Sequence, residues 1–382
     1  MTTKKFPRLV PPRVAGLPLY VPGKPIEEVE RELGISAIKL ASNENALGPS
    51  PKAIEAVARC LAQSNRYPDA GGFYLREKLA ARLGVEMDQI VLGAGSTELI
   101  QLLCHIYIQP GDVGLTSEGT FVMFPLAVRA AGGTVVQAPL KDYAYDLDAL
   151  AARLDESVRV VYLANPNNPT GTMFTAAETD RFLARVPENV LVILDEAYCD
   201  YVERPDYSHS LDTVRAGRYL IVLRTFSKAY GLAGLRVGYG IGHPEIVGAV
   251  NQMRSPFNVS TLALAAAEAA LEDAEHIRRS VESNRRGLAY FARELPRLGL
   301  RTAPSVANFV YCETGREAKE DFKALLQMGV IVRPMGFMGM PQGLRITVGT
   351  EEENRRVVEA LARLQESAAG ARQHARLGRA GS

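Results

Sequence analysis

Four apolar runs in this chain, at 90–92, 158–164, 190–194 and 219–223, each stop against a cluster of glycine or polar residues. Further apolar runs at 113–116 and 134–137 alternate with stretches whose apolar residues recur at spacings of three and four. Uninterrupted valine, isoleucine and leucine runs of this length read as strands buried on both faces. Strands of that kind alternating with amphipathic helices require a mainly parallel sheet covered by helices on both sides. In such sheets ligands gather beyond the carboxyl ends of the strands, so the polar clusters are where chemistry is expected.

The rest of the chain divides around that sheet. Residues 1–36 are rich in proline and lack a sustained helix or strand period, which predicts an extended arm needing another surface. A large α/β domain is expected over 37–275, with helices at 53–62, 75–83, 99–108, 122–131, 147–154 and 176–184. From about 258 long helices take over through 298, followed by short strands at 308–311, 330–333 and 344–348 and a closing helix at 351–364. This predicts a smaller α+β domain over 276–366. Residues 367–382 are small, basic and aperiodic, and are expected to be disordered.

Composition excludes several classes of function. A formal net charge of +1 over 382 residues gives no reason to expect nucleic acid or an acidic membrane as partner. The longest apolar helix candidate, 259–271, carries Glu268 and is no membrane span. Lys4 and Lys5 are followed by prolines in place of an apolar core, which argues against a secretory signal. Cys60, Cys104, Cys199 and Cys312 are far apart, consistent with reduced cytoplasmic thiols. The five histidines show no metal-ligand spacing, so no metal is expected.

The most informative cluster is Ser227-Lys228-Ala229-Tyr230-Gly231-Leu232-Ala233-Gly234-Leu235-Arg236 after the strand at 219–223. A lysine at the mouth of a buried strand is poorly solvated; desolvation lowers its pKa and favours the neutral amine, the form that attacks a carbonyl. Ser227 and Arg236 bracket it with a hydroxyl and a permanent cation, suited to phosphate oxygens. The turn Gly93-Ala94-Gly95-Ser96-Thr97-Glu98 opens a helix, whose N-terminal N–H groups also suit a phosphate; the third glycine of a dinucleotide fingerprint is replaced by Glu98. A lysine for an aldehyde beside a cup for a phosphate describes a pyridoxal 5'-phosphate (PLP) site. Asp195 at the end of the strand 190–194 can keep the pyridine nitrogen protonated, and Tyr198 and Asn168 can bond the ring oxygen. Phe121 can stack on the ring. Each residue alone has a plainer reading: a cap for Asp195, packing for Phe121, a turn for the asparagines of Asn165-Pro-Asn-Asn-Pro-Thr-Gly171.

Taken in order, N-P-N-N-P-T-G, D-E-A-Y and S-K-A-Y-G-L-A-G-L-R resemble the fold-type I PLP aminotransferases of class I and II. Tyr20-Val-Pro-Gly-Lys24, Ala41-Ser-Asn-Glu-Asn45, Asn65-Arg-Tyr-Pro68 and Gly343-Leu-Arg-Ile-Thr-Val-Gly349 resemble the histidinol-phosphate aminotransferase branch. The resemblance implies a three-layer sheet domain with a smaller C-terminal domain, and a cytoplasmic homodimer with shared active sites. It implies that Lys228 holds the cofactor and shuttles the proton, with Asp195 and Tyr198 as its catalytic partners. Gly95, Ser96, Thr97, Ser227 and Arg236 would take the phosphate, and Tyr67 would reach the partner subunit's cofactor. Arg345 would grip a carboxylate, and Arg333, Tyr20 and Asn45 would line the substrate pocket. The implied reaction is transamination between L-histidinol phosphate and 2-oxoglutarate. An aromatic amino acid aminotransferase, a decarboxylase of the threonine-phosphate type and a non-catalytic PLP-binding regulator stay open, the first encouraged by the methionine-rich segment Pro334-Met-Gly-Phe-Met-Gly-Met-Pro341.

Overall fold

A computed structural model describes residues 9–19 and 23–380, with side chains described through 367. Seven strands form the central sheet: β1 (Ile90–Gly93), β2 (Val113–Ser117), β3 (Thr134–Ala138), β4 (Val158–Ala164), β5 (Leu191–Asp195), β6 (Leu220–Thr225) and β7 (Gly238–Gly242). Their order is β1-β7-β6-β5-β4-β2-β3. Only β7 runs antiparallel to its neighbours; β2 through β6 pair in parallel. Every residue of β1, β2, β5 and β7 is buried. A strand buried on both faces has helices on both, as the unbroken apolar runs predict. Burial of each such Val, Leu or Ile stabilises the fold by about 1.5–3 kcal/mol.

A second sheet, β8 (Arg301–Thr302), β9 (Phe309–Glu313), β10 (Arg333–Pro334) and β11 (Gly343–Thr347), is antiparallel in the order β8-β9-β11-β10. Its core includes Phe291, Leu295, Val310, Leu325, Leu344, Ile346 and Leu361. The helix Ala318–Gln327 between β9 and β10 was not anticipated from sequence, nor was Pro244–Met253 after β7.

The N-terminal segment departs from expectation. Ile26–Leu33 is a helix that buries Val29 and ends at Gly34 in the left-handed region, φ 67°. Its apolar residues Ile26, Val29 and Leu33 share a stripe, which the surrounding prolines obscure in sequence. The short strand Ile38–Lys39 pairs in parallel with Val330–Ile331, and Leu40 joins the second core. Residues 26–41 therefore belong with the C-terminal unit and not with an arm followed by the large domain. At the other end the closing helix runs Glu351–Ala380, past the expected start of a disordered tail at 367. Alanine, arginine, glutamine and leucine are good helix formers and sustain it without an amphipathic period.

Candidate active site

The carboxyl ends of β4, β5 and β6 open onto one cavity of about 260 Å³, closed on its other side by β10, β11 and the segment after Ile38–Lys39. Lys228 lies three residues past Thr225, the last residue of β6. Its Nζ donates to the Ser42 carbonyl at 3.4 Å and sits 5.5 Å from the centre of the Tyr198 ring. Burial, helped by the nearby Arg345 charge, pulls the ammonium down to about 8. That is the direction an amine nucleophile needs near neutral pH.

Asp195 closes β5 and is buried. Burial pushes its carboxyl up to about 6, against hydrogen bonds from Tyr162 Oη to Oδ2 (2.6 Å) and from the Ala197 N–H to Oδ1 (3.1 Å). A carboxylate held there is stabilised by any cationic group brought beside it.

The anion cup is built from backbone. Gly95 is the N-cap of the helix Ser96–Tyr107, with φ 82° and no side chain capping the first turn. Its opening N–H groups therefore face the cavity mouth, where Ser96 and Thr97 lie. Ser96 and Thr97 are thus helical residues and not the caps their hydroxyls suggest. A Cβ on Gly95 would lie 2.5 Å from Arg236 Nη2, so only glycine lets that guanidinium approach. Glu98 Oε2 accepts from the Ala94 N–H at 2.6 Å and from Asn258 Nδ2 at 2.7 Å. The acidic residue in the third-glycine position thus closes the turn. Ser227 Oγ accepts from Thr225 Oγ1 (3.0 Å) and Arg236 Nη1 (3.4 Å), which leaves its own proton to donate.

Opposite the cup, Arg333 of β10 stands directly across from Arg345 of β11. Like charges so paired repel, and the arrangement suits a site that receives an anion. Arg345 Nη1 donates to Asn168 Oδ1 and Nη2 to the Ala41 carbonyl, both at 2.6 Å. The first bond fixes the Asn168 amide so that its Nδ2 is the donor left for a ligand. Phe309 lies under Arg345 and Phe337 under Arg333, at 5.5 and 4.7 Å. Four cations (Lys228, Arg236, Arg333, Arg345) and two carboxylates (Asp195, Glu44) line the cavity, an excess that favours anionic ligands.

The sequence model of the family "Aminotransferase class I and II" matches residues 35–361. The chain belongs to that family. Among curated proteins, histidinol-phosphate aminotransferase 2 of Pseudomonas fluorescens is 49% identical over 362 residues, 94% of this chain and 98% of that protein. Histidinol-phosphate aminotransferase of Moorella thermoacetica is 48% identical over 344 residues, 90% and 89% of the two chains. Among solved structures, histidinol-phosphate aminotransferase from Sinorhizobium meliloti in complex with pyridoxal-5'-phosphate has a TM-score of 0.88 at 29% identity, covering 96% of this chain and 100% of that one.

In this class I and II aminotransferase most of the expected site residues converge. Ser96, Thr97, Phe121, Asn168, Asp195, Tyr198, Ser227, Lys228, Arg236, Arg333 and Arg345 all line the one cavity. Tyr20 lies outside the described residues. Tyr67 is 82% exposed, stacked on Phe257 at 4.6 Å. Asn45 does not reach the cavity: its Nδ2 donates to the Ala229 carbonyl (2.8 Å) and Ser280 Oγ (2.9 Å). One turn follows it, closed by the Gly48 N–H on the Asn45 carbonyl (3.1 Å), and the Leu47 N–H donates to Asn45 Oδ1 (2.9 Å), which holds the amide toward the loop behind Lys228. Glu44, Ser42 and Asn43 take the cavity positions instead. Tyr162 was also not anticipated, because inside a continuous apolar strand a tyrosine reads as packing.

Proposed function

We propose that this chain is a PLP-dependent histidinol-phosphate aminotransferase, active as a cytoplasmic homodimer. It transfers the amino group of L-histidinol phosphate to 2-oxoglutarate, yielding imidazole acetol phosphate and L-glutamate, a reaction of histidine biosynthesis. The observation that carries this reading is the convergence of a desolvated lysine, a buried carboxylate and an open helix N-terminus on one cavity. The names of the relatives supply the substrate.

The residues fit the cofactor. The Ser96 and Thr97 N–H groups, Ser227 Oγ and Arg236 would hold its phosphate, Asp195 its ring nitrogen, Asn168 and Tyr198 its ring oxygen, and Phe121 its ring face. When bound, PLP supplies an electron-poor ring that accepts the electron pair left when the substrate carbon loses its proton. Lys228 Nζ would hold the cofactor through its aldehyde and would move the substrate proton as base and then acid. Asp195 would keep the ring nitrogen protonated. Arg345 receives the α-carboxylate of glutamate, and Arg333 the phosphate of histidinol phosphate or the second carboxylate of glutamate.

An aromatic amino acid as the amine substrate loses its support from the methionine-rich segment. Met338 and Met340 line a neighbouring cavity, with Gly119, Tyr143 and Arg301, and not the one holding Lys228. The exposed aromatic residues Tyr67, Phe73, Tyr74 and Phe257 support a partner subunit. Among the described residues no helix is long and apolar enough to cross a membrane, and the four cysteines are unpaired, which agrees with a reducing compartment.

The test is direct. Protein incubated with PLP and reduced with borohydride should carry the label on Lys228. It should turn over L-histidinol phosphate with 2-oxoglutarate faster than phenylalanine. Lys228→Ala should lose turnover while retaining the circular dichroism of the parent. A colourless, unlabelled protein, or full activity in the variant, would sink the reading.

A further inference from the structure

Three consecutive residues, Ala41, Ser42 and Asn43, touch three functional groups of the site at once. The Ala41 carbonyl accepts from Arg345, the Ser42 carbonyl accepts from Lys228, and Asn43 Nδ2 donates to Tyr198 Oη at 2.9 Å. Asn43 is buried and sits in the left-handed region, φ 56°, which asparagine tolerates better than most residues. Its remaining groups are all committed to the C-terminal unit. The N–H donates to Thr347 Oγ1 (2.9 Å), Oδ1 accepts from that hydroxyl (3.2 Å), and the carbonyl accepts from Asn308 Nδ2 (3.0 Å). Thr347 lies two residues beyond Arg345 on β11, and Tyr198 belongs to the large unit, just after β5.

We infer that Asn43 is a positioning residue for Tyr198, turning its phenol toward the cofactor ring oxygen and tying that orientation to the placement of the arginine-bearing sheet. The inference rests on the PLP reading above. A hydroxyl that accepts from Asn43 directs its own proton away from Asn43, toward the cavity that Tyr198 lines. The charged groups facing Tyr198 there are Lys228, Asp195, Glu44, Arg236, Arg333 and Arg345. Without the amide, the phenol donates less well to the ring oxygen when that oxygen is anionic. The oxygen then becomes a better base for the proton beside it, and the pH midpoint of the cofactor's visible band rises.

Asn43→Gly keeps the left-handed backbone and deletes only the amide. In PLP-loaded protein its absorbance midpoint should rise by roughly 0.5 pH unit or more, in the direction taken by Tyr198→Phe. The kcat for L-histidinol phosphate should fall roughly tenfold with KM changing far less. Thr347→Val, which removes the anchor of Asn43 but no contact to Tyr198, should shift the midpoint the same way by less, and it decides the matter if Asn43→Gly does not fold. Coincident midpoints in wild type and variant would overturn the inference while leaving the PLP reading intact. A wild-type protein that never develops the band would overturn both.

Discussion

Lys228 and Asp195 carry opposite consequences of the same burial. Desolvation makes the amine easier to deprotonate and the carboxyl harder to ionise. Capture of PLP by cofactor-free protein should therefore rise with pH around a midpoint near 8, well below the 10.5 of an ordinary lysine. Arg345→Gln removes a cation that disfavours the ammonium, so that midpoint should move up; stopped-flow absorbance at a series of pH values measures both. For Asp195 the folded value near 6 lies above the ordinary 3.8. The folded protein then holds the proton where the unfolded chain has released it, so cofactor-free stability falls as pH rises from about 4 to about 6. The loss is at most roughly 3 kcal/mol. Urea unfolding of the cofactor-free protein should show this slope, and Asp195→Asn should lose that share of it. The same substitution should cut turnover by roughly 10²–10³-fold, the usual scale for one lost electrostatic partner.

At the scale of elements, the strand-to-helix turn Gly93–Ser96 leaves no room for an added methyl group at Gly95. Gly95→Ala combines a left-handed φ with a Cβ driven against Arg236, so it should weaken PLP binding by roughly tenfold or more in equilibrium titration. Gly234→Ala in the neighbouring loop, where a Cβ meets nothing within 4 Å, should leave affinity unchanged. Most of this was legible in sequence. The turn after β1, the asparagine run after β4 and the Asp195 to Tyr198 run after β5 announce themselves by residue type at the end of an apolar run. Tyr162 and Asn43 do not. A tyrosine inside β4 has the same local pattern whether its hydroxyl meets a carboxylate or nothing. Asn43 acts through Thr347, 304 positions away in the chain. Asn45, which sits in the same N-E-N motif, was the residue expected in the pocket, and the turn after it sends it elsewhere.

For the whole molecule, the exposed stack of Tyr67 on Phe257 is an aromatic surface of the kind a second subunit covers. If Tyr67 completes the partner's site, mixing Lys228→Ala with Tyr67→Phe protein after subunit exchange should restore about a quarter of wild-type activity, since half the dimers are mixed and each has one intact site. No recovery above the separate variants would count against shared sites. The sequence alone determined the parallel sheet and pointed to the lysine, the carboxylate and the glycine turn that the fold gathers around one cavity. These depend on short-range pattern: uninterrupted apolar runs and the residues that terminate them. Only the tertiary structure decided that residues 26–41 join the C-terminal unit and that Arg333 faces Arg345. It alone placed Tyr198 in the grip of Asn43. Those relations come from chain segments that meet across the fold, where pairing and burial select partners that no local spacing records.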